Sequence, residues 1–155
     1  MGRKRSKRKN KDTNNNINYT SEQLEELRLL SLQEQADITG IVADLLSYAS
    51  TRAGFQIVDD NARNINDQYD VARADILAIQ SLYLTIFARI VYTQIGFTRY
   101  ENLYEKYING EIDYSLQPDM DINTGNIIRM ISNYYLLRGT LGIYERDSNQ
   151  PIFGV

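Results

Sequence analysis

The sequence has 155 residues, of which 43% are hydrophobic, which suits one globular domain with a hydrophobic core. It contains no cysteine and no histidine, so disulfides, Ser-His or Cys-His nucleophile pairs and zinc sites of the Cys/His type are excluded. The net charge of −3 hides an asymmetry, because residues 1–20 carry +6 and residues 21–155 carry −9. A basic arm on an acidic body is therefore the most distinctive feature of the chain.

Residues 1–19 are predicted to form a disordered basic tail. They are charged, rich in asparagine and nearly free of apolar side chains, so ordering them would bury too little surface to offset the entropy cost. Such an arm binds polyanions by counterion release, and nucleic acid or an anionic lipid surface are the candidate partners. The alternatives are a tail that only solvates the protein, a tail that folds back on the acidic body, and a nuclear import signal. The candidate polyanion-binding residues are Arg3, Lys4, Arg5, Lys7, Arg8, Lys9 and Lys11.

Residues 20–155 are predicted to form one helical domain with a well-marked start. Thr20 and Gln23 have the spacing of a capping box, in which the two residues satisfy each other's backbone N–H groups. Tyr19 and Leu24 flank this pair with the spacing of a hydrophobic staple. Order is therefore expected to begin at Thr20.

The first helix is predicted from about residue 21 to about residue 57. A polar stretch at 31–37 permits a break, and Gly54 is a candidate helix end. The second half carries an apolar stripe at helical spacing, which predicts a buried face. The residues of this stripe are Ile38, Ile41, Val42, Leu45, Leu46, Ala49 and Ala53.

A long second helix is predicted to follow an Asp/Asn-rich connection at 59–67 and to end at Gly110. Its apolar residues keep alternating steps of four and three, as in a coiled coil. Over 76–97 the apolar surface widens to most of the circumference, which predicts the central helix of the core. The stripe consists of Ile65, Tyr69, Ala72, Ile76, Ile79, Tyr83, Ile86, Ile90, Thr93, Phe97, Tyr100, Tyr104 and Tyr107.

The apolar stretch at 76–97 has nearly the length of a membrane span. Gln80, Arg89 and Gln94 interrupt it, and an arginine near the centre of a bilayer costs roughly 2.5–3.5 kcal/mol on insertion scales. We therefore expect a buried core helix and no transmembrane span.

A third helix is predicted from about residue 123 to about residue 145, after a loop that contains Pro118. Asp121 or Asn123 is the candidate N-cap. The expected apolar residues are Ile127, Ile128, Ile131, Tyr134, Tyr135, Leu137 and Leu141. Since strand-like alternation is absent, the predicted fold class is all-α: a bundle of three to four helices round one long central helix, with a disordered basic N-terminal tail.

The basic residues of the body indicate an interaction surface. Nine of the ten are arginine, and tyrosine is abundant, with 12 in the chain. Protein interfaces are enriched in Tyr and Arg and depleted in Lys. The candidate interface is Phe97, Arg99, Tyr100, Tyr104 and Tyr107. The alternative is that these tyrosines fill the core with their hydroxyls at its rim.

These features favour a non-enzymatic structural or interaction protein that forms a homo-oligomer or holds a protein partner, while its tail contacts a polyanion. The alternative is a nucleic-acid-binding protein that acts mainly through its basic arm. A third hypothesis is an enzyme that uses carboxylates only, such as Glu101 and Glu105. No cofactor or metal is expected, because Asp119, Asp121 and Asn123 lack the later ligands of an EF-hand loop. Without a recognisable secretory signal, the expected location is cytoplasmic.

Overall fold

The structure is a computed structural model that describes the backbone of residues 18–63 and 68–149 and the side chains of residues 18–63 and 73–146. Within these ranges the chain forms three helices, which are α1 (Ser21–Ala62), α2 (Gln68–Ile108) and α3 (Gln117–Asn149). No strand occurs in the same ranges, so the all-α class is confirmed there. The seven candidate polyanion-binding residues of the tail lie outside the described part of the chain.

α1 begins as its capping signal predicts. The Gln23 backbone N–H donates to Thr20 Oγ1 at 3.2 Å, and the Thr20 backbone N–H donates to Gln23 Oε1 at 3.0 Å. The helix then continues unbroken through residues 31–37 and past Gly54 to Ala62. The break that the polar stretch permits does not occur, and the helix ends beyond both the candidate end at Gly54 and the predicted bound of about residue 57. One glycine inside a helix costs only about 0.5–1 kcal/mol relative to alanine, which packing against α2 can offset.

α1 and α2 pack antiparallel through small side chains that recur every seven residues. Ser50 Oγ donates to the Ala74 carbonyl at 2.8 Å, which fixes the alignment of the two helices. Alanine and serine at the contact allow two helix axes to approach closely. The buried residues of this contact are Leu29, Ala36 and Ala43 on α1 and Ala74, Ser81, Ala88 and Ile95 on α2.

The large apolar residues predicted to form the buried face of α1 lie on the side away from α2. Ile38, Ile41 and Leu45 are each more than half exposed. A helical residue turns the chain by about 100°, so positions two after Ala36 and Ala43 lie about 200° round the helix from α2. The predicted buried face is therefore wrong for Ile38, Ile41 and Leu45, because the row of Leu29, Ala36 and Ala43 makes the contact. The other members of the predicted stripe are divided, with Val42 exposed and with Leu46, Ala49 and Ala53 half-buried.

α2 ends as predicted, with Gly110 in the left-handed region at a φ of 72°. The Glu111 N–H donates to the Lys106 carbonyl at 2.9 Å and the Gly110 N–H to the Tyr107 carbonyl at 3.1 Å, so two of the last carbonyls are satisfied. α2 contacts both other helices, whereas α1 and α3 do not contact each other in the described residues. The stripe predicted on α2 is accordingly divided, with Ile79 and Ile86 half-buried and Ile90 exposed.

α3 begins earlier than predicted, at Gln117. Pro118 lies in its first turn, where the missing N–H has no helical partner to lose, and Ser115 Oγ accepts a hydrogen bond from the Gln117 N–H at 3.2 Å. The loop assignment of Pro118 is therefore wrong, and so is the predicted N-cap at Asp121 or Asn123. Both of those residues lie inside the helix.

The contact between α2 and α3 centres on Gly96 and Asn123. Asn123 is buried, and its Nδ2 donates to the Gly96 carbonyl at 3.2 Å. A Cβ at Gly96 would overlap Asn123 Oδ1, so this close approach requires glycine. Among the described atoms, Asn123 Oδ1 has no hydrogen-bond partner, although it is buried.

Candidate interaction surfaces

Few large side chains are buried in the described part of the chain. Seven hydrophobic residues are buried there, of which four are alanines and the three larger ones are Leu29, Ile95 and Leu116. A domain of about 150 residues ordinarily buries about 70% of the surface of its unfolded chain. Large apolar side chains lie instead on the outer sides of all three helices.

The first exposed surface is aromatic and lies at the C-terminal end of α2. Phe97, Tyr100, Tyr104 and Tyr107 share one side of the helix because they follow steps of three, four and three. Phe97, Tyr104 and Tyr107 are 43% to 49% exposed, and the rings of Tyr100 and Tyr104 stack with centroids 6.0 Å apart. We call these four residues the aromatic α2 surface. The structure brings together four of the five predicted interface residues.

Arg99, the fifth predicted interface residue, lies on another side of α2. Its guanidinium donates to Glu26 Oε1 at 2.7 Å and to Gln33 Oε1 at 3.3 Å, and both acceptors are on α1. Arg99 therefore holds α1 and α2 together. The sequence itself separates Arg99 from the aromatic residues, since it is two residues after Phe97 and two residues correspond to about 200° round a helix.

Further polar contacts between α1 and α2 were not predicted from the sequence. The Tyr92 hydroxyl donates to the Asp37 carboxylate, and Lys106 Nζ lies 3.2 Å from Glu22 Oε2. Burial raises the pKa of Tyr92, and the hydrogen bond to Asp37 raises it further because an ionised phenol there would face a carboxylate. The two residues of each pair are far apart in the sequence, so no local sequence pattern predicts that they are in contact.

The second exposed surface lies on α1, opposite the contact with α2. Ile38, Ile41, Leu45 and Tyr48 follow steps of three, four and three and are each more than half exposed. We call these four residues the outer α1 stripe. Because α3 does not contact α1 in the described residues, no part of those residues covers the stripe.

The third exposed surface lies on α3. Ile128, Ile131 and Tyr135 are each more than half exposed, and the rings of Tyr134 and Tyr135 meet edge to face at 5.6 Å. Most of the apolar residues predicted for the third helix thus face outward, whereas the Asn123 side of α3 faces α2. Among the described residues of α3, Asn123 is the one that is fully buried, while Met130, Leu137 and Leu141 are half-buried.

A charged groove lies between the start of α1, the end of α2 and the start of α3. It has a volume of about 740 Å³, and its lining includes Glu22, Glu26, Glu105, Arg99 and Lys106. Its two basic residues are already paired with α1 carboxylates. No group of three or more acidic, His or Cys side chains within the described residues is arranged to hold a metal ion.

One helix of the described chain is long and apolar enough to cross a membrane. The segment Arg73–Ile108 of α2 meets this description by length and composition alone, and 17% of its most apolar stretch of 18 residues is buried. The core helix of a soluble protein passes the same test when its partners cover it. What covers the apolar sides of these helices is therefore the central functional question.

Comparison with known proteins adds no relative to this picture. No protein family, no curated protein and no solved structure matches the chain. The functional argument therefore rests on the surfaces of the three helices.

Proposed function

We propose that this chain is a non-enzymatic structural or interaction protein that assembles with itself or with a protein partner. The observation that carries this proposal is the contrast between a small buried core and long apolar helix sides that face outward. Apolar patches of more than a few hundred Å² are rare on soluble monomers and mark interaction sites. Assembly would remove these sides from water and supply the burial that the single chain lacks.

In the proposed assembly, α2 is the central long helix of the bundle. It is the helix that contacts both α1 and α3, and its apolar residues extend to sides that neither helix covers, as Ile76, Tyr83 and Ile90 show. A helix that is apolar on most of its circumference is stable in water when several neighbours surround it. In the proposed assembly, helices from a second chain would cover the apolar sides of α2 that α1 and α3 leave exposed.

The aromatic α2 surface is one proposed contact of this assembly. Tyrosine presents a large ring at low entropy cost and a hydroxyl that tolerates the wet rim of an interface. The rings of Tyr100 and Tyr104 already stack within the chain, and an arrangement formed before binding reduces the entropy lost on binding. This surface is the part of the predicted interface that faces outward.

The basic tail is proposed to contact a polyanion outside the chain. Its seven basic residues give it a net charge of +6 next to a body of −9, so it is the part of the protein that anions can approach. Phosphate contacts of this kind weaken steeply as salt rises, because binding releases condensed counterions. If this arm is the main functional element, the protein is a nucleic-acid binder, and a salt titration of nucleic-acid binding separates the two functions.

The test of assembly is the molar mass of the purified protein in solution, measured at tens of micromolar by light scattering. We expect a mass above that of the 17.9 kDa chain, both for the intact protein and for one that lacks residues 1–18. A mass equal to one chain over the whole concentration range, with no protein partner recovered, would contradict the proposal. Loss of assembly on removal of the tail alone would assign assembly to the tail instead of the helices.

A further inference from the structure

The outer α1 stripe has the residue spacing of a helix-pairing face. Ile38 and Leu45 are one seven-residue repeat apart, and so are Ile41 and Tyr48. Two such rows, offset by three residues, form the contact seam of a pair of coiled helices. α1 therefore has a small-residue side that α2 covers and a large-residue side that nothing in the described chain covers.

We propose that the outer α1 stripe packs against the outer α1 stripe of a second copy of this chain, with the two helices antiparallel. This inference rests on the proposed assembly and names its partner and its surface. The two-fold axis passes at the level of Ala43. Ile38 then lies opposite Tyr48 of the other copy, and Ile41 lies opposite its Leu45. This places each row of one helix against the other row of its partner, as antiparallel packing of two seven-residue repeats requires.

Charge complementarity selects this direction. Glu34 continues one row of the stripe towards the N-terminus, and Arg52 continues the other row towards the C-terminus; both are exposed. With the axis at Ala43, Glu34 of each copy lies opposite Arg52 of the other, and the two-fold symmetry forms this pair twice. A parallel pair in register would instead oppose Glu34 to Glu34 and Arg52 to Arg52, and like charges at an interface are destabilising.

The flanking residues agree with this arrangement. Val42 lies beside the stripe and meets its copy near the axis, while Phe55 lies opposite Ser31. Asp44 opposes its own copy along one edge of the pair, but the edge is open to water, where a like-charge contact is screened and small.

The contact is long enough for a stable dimer. Residues 31–55 of a helix span about 36 Å. Ile38, Ile41, Leu45, Tyr48 and Phe55 lie along this length, each more than half exposed. A stable specific interface buries roughly 800 Å² on each partner, and two helices in contact over this length reach that order of area.

The first experiment measures the dissociation constant of the full-length protein by sedimentation equilibrium, for Leu45→Gln and for Ile122→Gln. The two residues are matched, at 62% exposed each, but Ile122 lies on α3. We expect Leu45→Gln to weaken self-association roughly tenfold or more, as loss of a central apolar anchor does, and Ile122→Gln to leave it within about threefold. Circular dichroism tests whether both remain helical, and Ile41→Gln replaces Leu45→Gln if that variant does not.

The second experiment tests direction through charge reversal. Glu34→Arg and Arg52→Glu each place two like-charge pairs in the antiparallel dimer, so each is expected to weaken association roughly tenfold. The double variant Glu34→Arg/Arg52→Glu restores both pairs and should return to within about threefold of the original protein. In a parallel dimer each of these residues opposes its own copy, so a single reversal replaces one like-charge pair with another. Single variants that associate as tightly as the original protein would therefore overturn the antiparallel assignment.

The outcomes separate this inference from the proposed function. If the protein self-associates and Leu45→Gln does not weaken it, the outer α1 stripe is not the interface, although assembly stands. If the protein is a monomer in solution and binds phosphatidylcholine vesicles in a manner that Leu45→Gln abolishes, the stripe faces lipid and the inference is wrong. A monomer that binds neither its own copy nor vesicles contradicts both the inference and homo-oligomer assembly.

Discussion

The contact between α1 and α2 and the contact between α2 and α3 are built differently. The first repeats small apolar residues every seven positions and adds satisfied polar pairs, such as Tyr92 with Asp37 and Arg99 with Glu26. The second buries Asn123 with an unsatisfied Oδ1 against Gly96. An unsatisfied buried oxygen costs about 1–3 kcal/mol. In the described residues, the two contacts of α2 therefore differ in whether their buried polar atoms are satisfied.

The largest expected effect lies in the first contact, at Leu29. Leu29→Ala should lower the free energy of unfolding by about 3 kcal/mol, because it removes a fully buried side chain and leaves a cavity. The neighbouring Leu30→Ala is the control, since Leu30 is 47% exposed and Leu29 only 2%. We expect the control to lose less than about 1 kcal/mol. Urea unfolding followed by circular dichroism gives both values, and equal losses would contradict the described alignment of α1 on α2.

A smaller effect is expected in the second contact, at Gly96. Gly96→Ala should destabilise the protein by about 1–3 kcal/mol, because the new methyl group overlaps Asn123 Oδ1. Gly125→Ala is the matched control, since no atom lies within 4 Å of its added Cβ, and it should stabilise the helix by about 0.5–1 kcal/mol. The double variant Gly96→Ala/Asn123→Ala should recover part of the loss, because the overlapping side chain is gone. Additive losses would show that the two residues are not in contact.

Tyr92 sharpens the comparison through pH. Tyr92→Phe should cost about 1 kcal/mol near neutral pH, where the hydroxyl donates to Asp37. The pKa of Tyr92 is raised in the folded protein, so the folded chain keeps the phenol proton at pH values where the unfolded chain has lost it. This contribution is fully present below the unfolded pKa of about 10 and is lost as the pH rises through the folded pKa. Unfolding curves at increasing alkaline pH should therefore converge for the two proteins. Tyr83→Phe, which changes an exposed tyrosine, should follow the unsubstituted protein throughout.

The smallest effect is expected at Lys106, whose partner Glu22 is largely exposed. Lys106→Met should change the free energy of unfolding by a few tenths of a kcal/mol at low salt, as exposed ion pairs generally do. The difference should vanish at high salt, because screening removes the attraction. A loss above about 1 kcal/mol would place this pair among the main determinants of the α1–α2 alignment.

The ends of helices were easier to predict than their packed sides. The capping box of Thr20 and Gln23 and the terminating Gly110 are local, so their spacing in the sequence is sufficient. The side of α1 that faces α2 was missed because Ala36 and Ala43 are less hydrophobic than Ile38 and Leu45. Hydrophobic periodicity alone does not say which of two apolar sides the same chain will cover.

The predicted interface on α2 likewise contains a part that local spacing predicts and a part that depends on how the helices pack. Phe97, Tyr104 and Tyr107 share an exposed side, and their spacing is sufficient to group them. Arg99 was grouped with them by composition, although its helical angle separates it from them. The pairing of Arg99 with Glu26 depends on the alignment of two helices, which no local pattern encodes.

The lack of contact between α1 and α3 within the described residues has a consequence for cooperativity. Where each element touches only its neighbour, stability is approximately the sum of each element's own term and the terms of the neighbouring contacts. Detachment of α3 then leaves the α1–α2 pair intact, whereas loss of α2 removes both contacts at once. Amide hydrogen exchange should therefore be graded, with α3 opening at a lower free energy than the α1–α2 pair. We expect the three described helices to behave as two linked folding units that share α2.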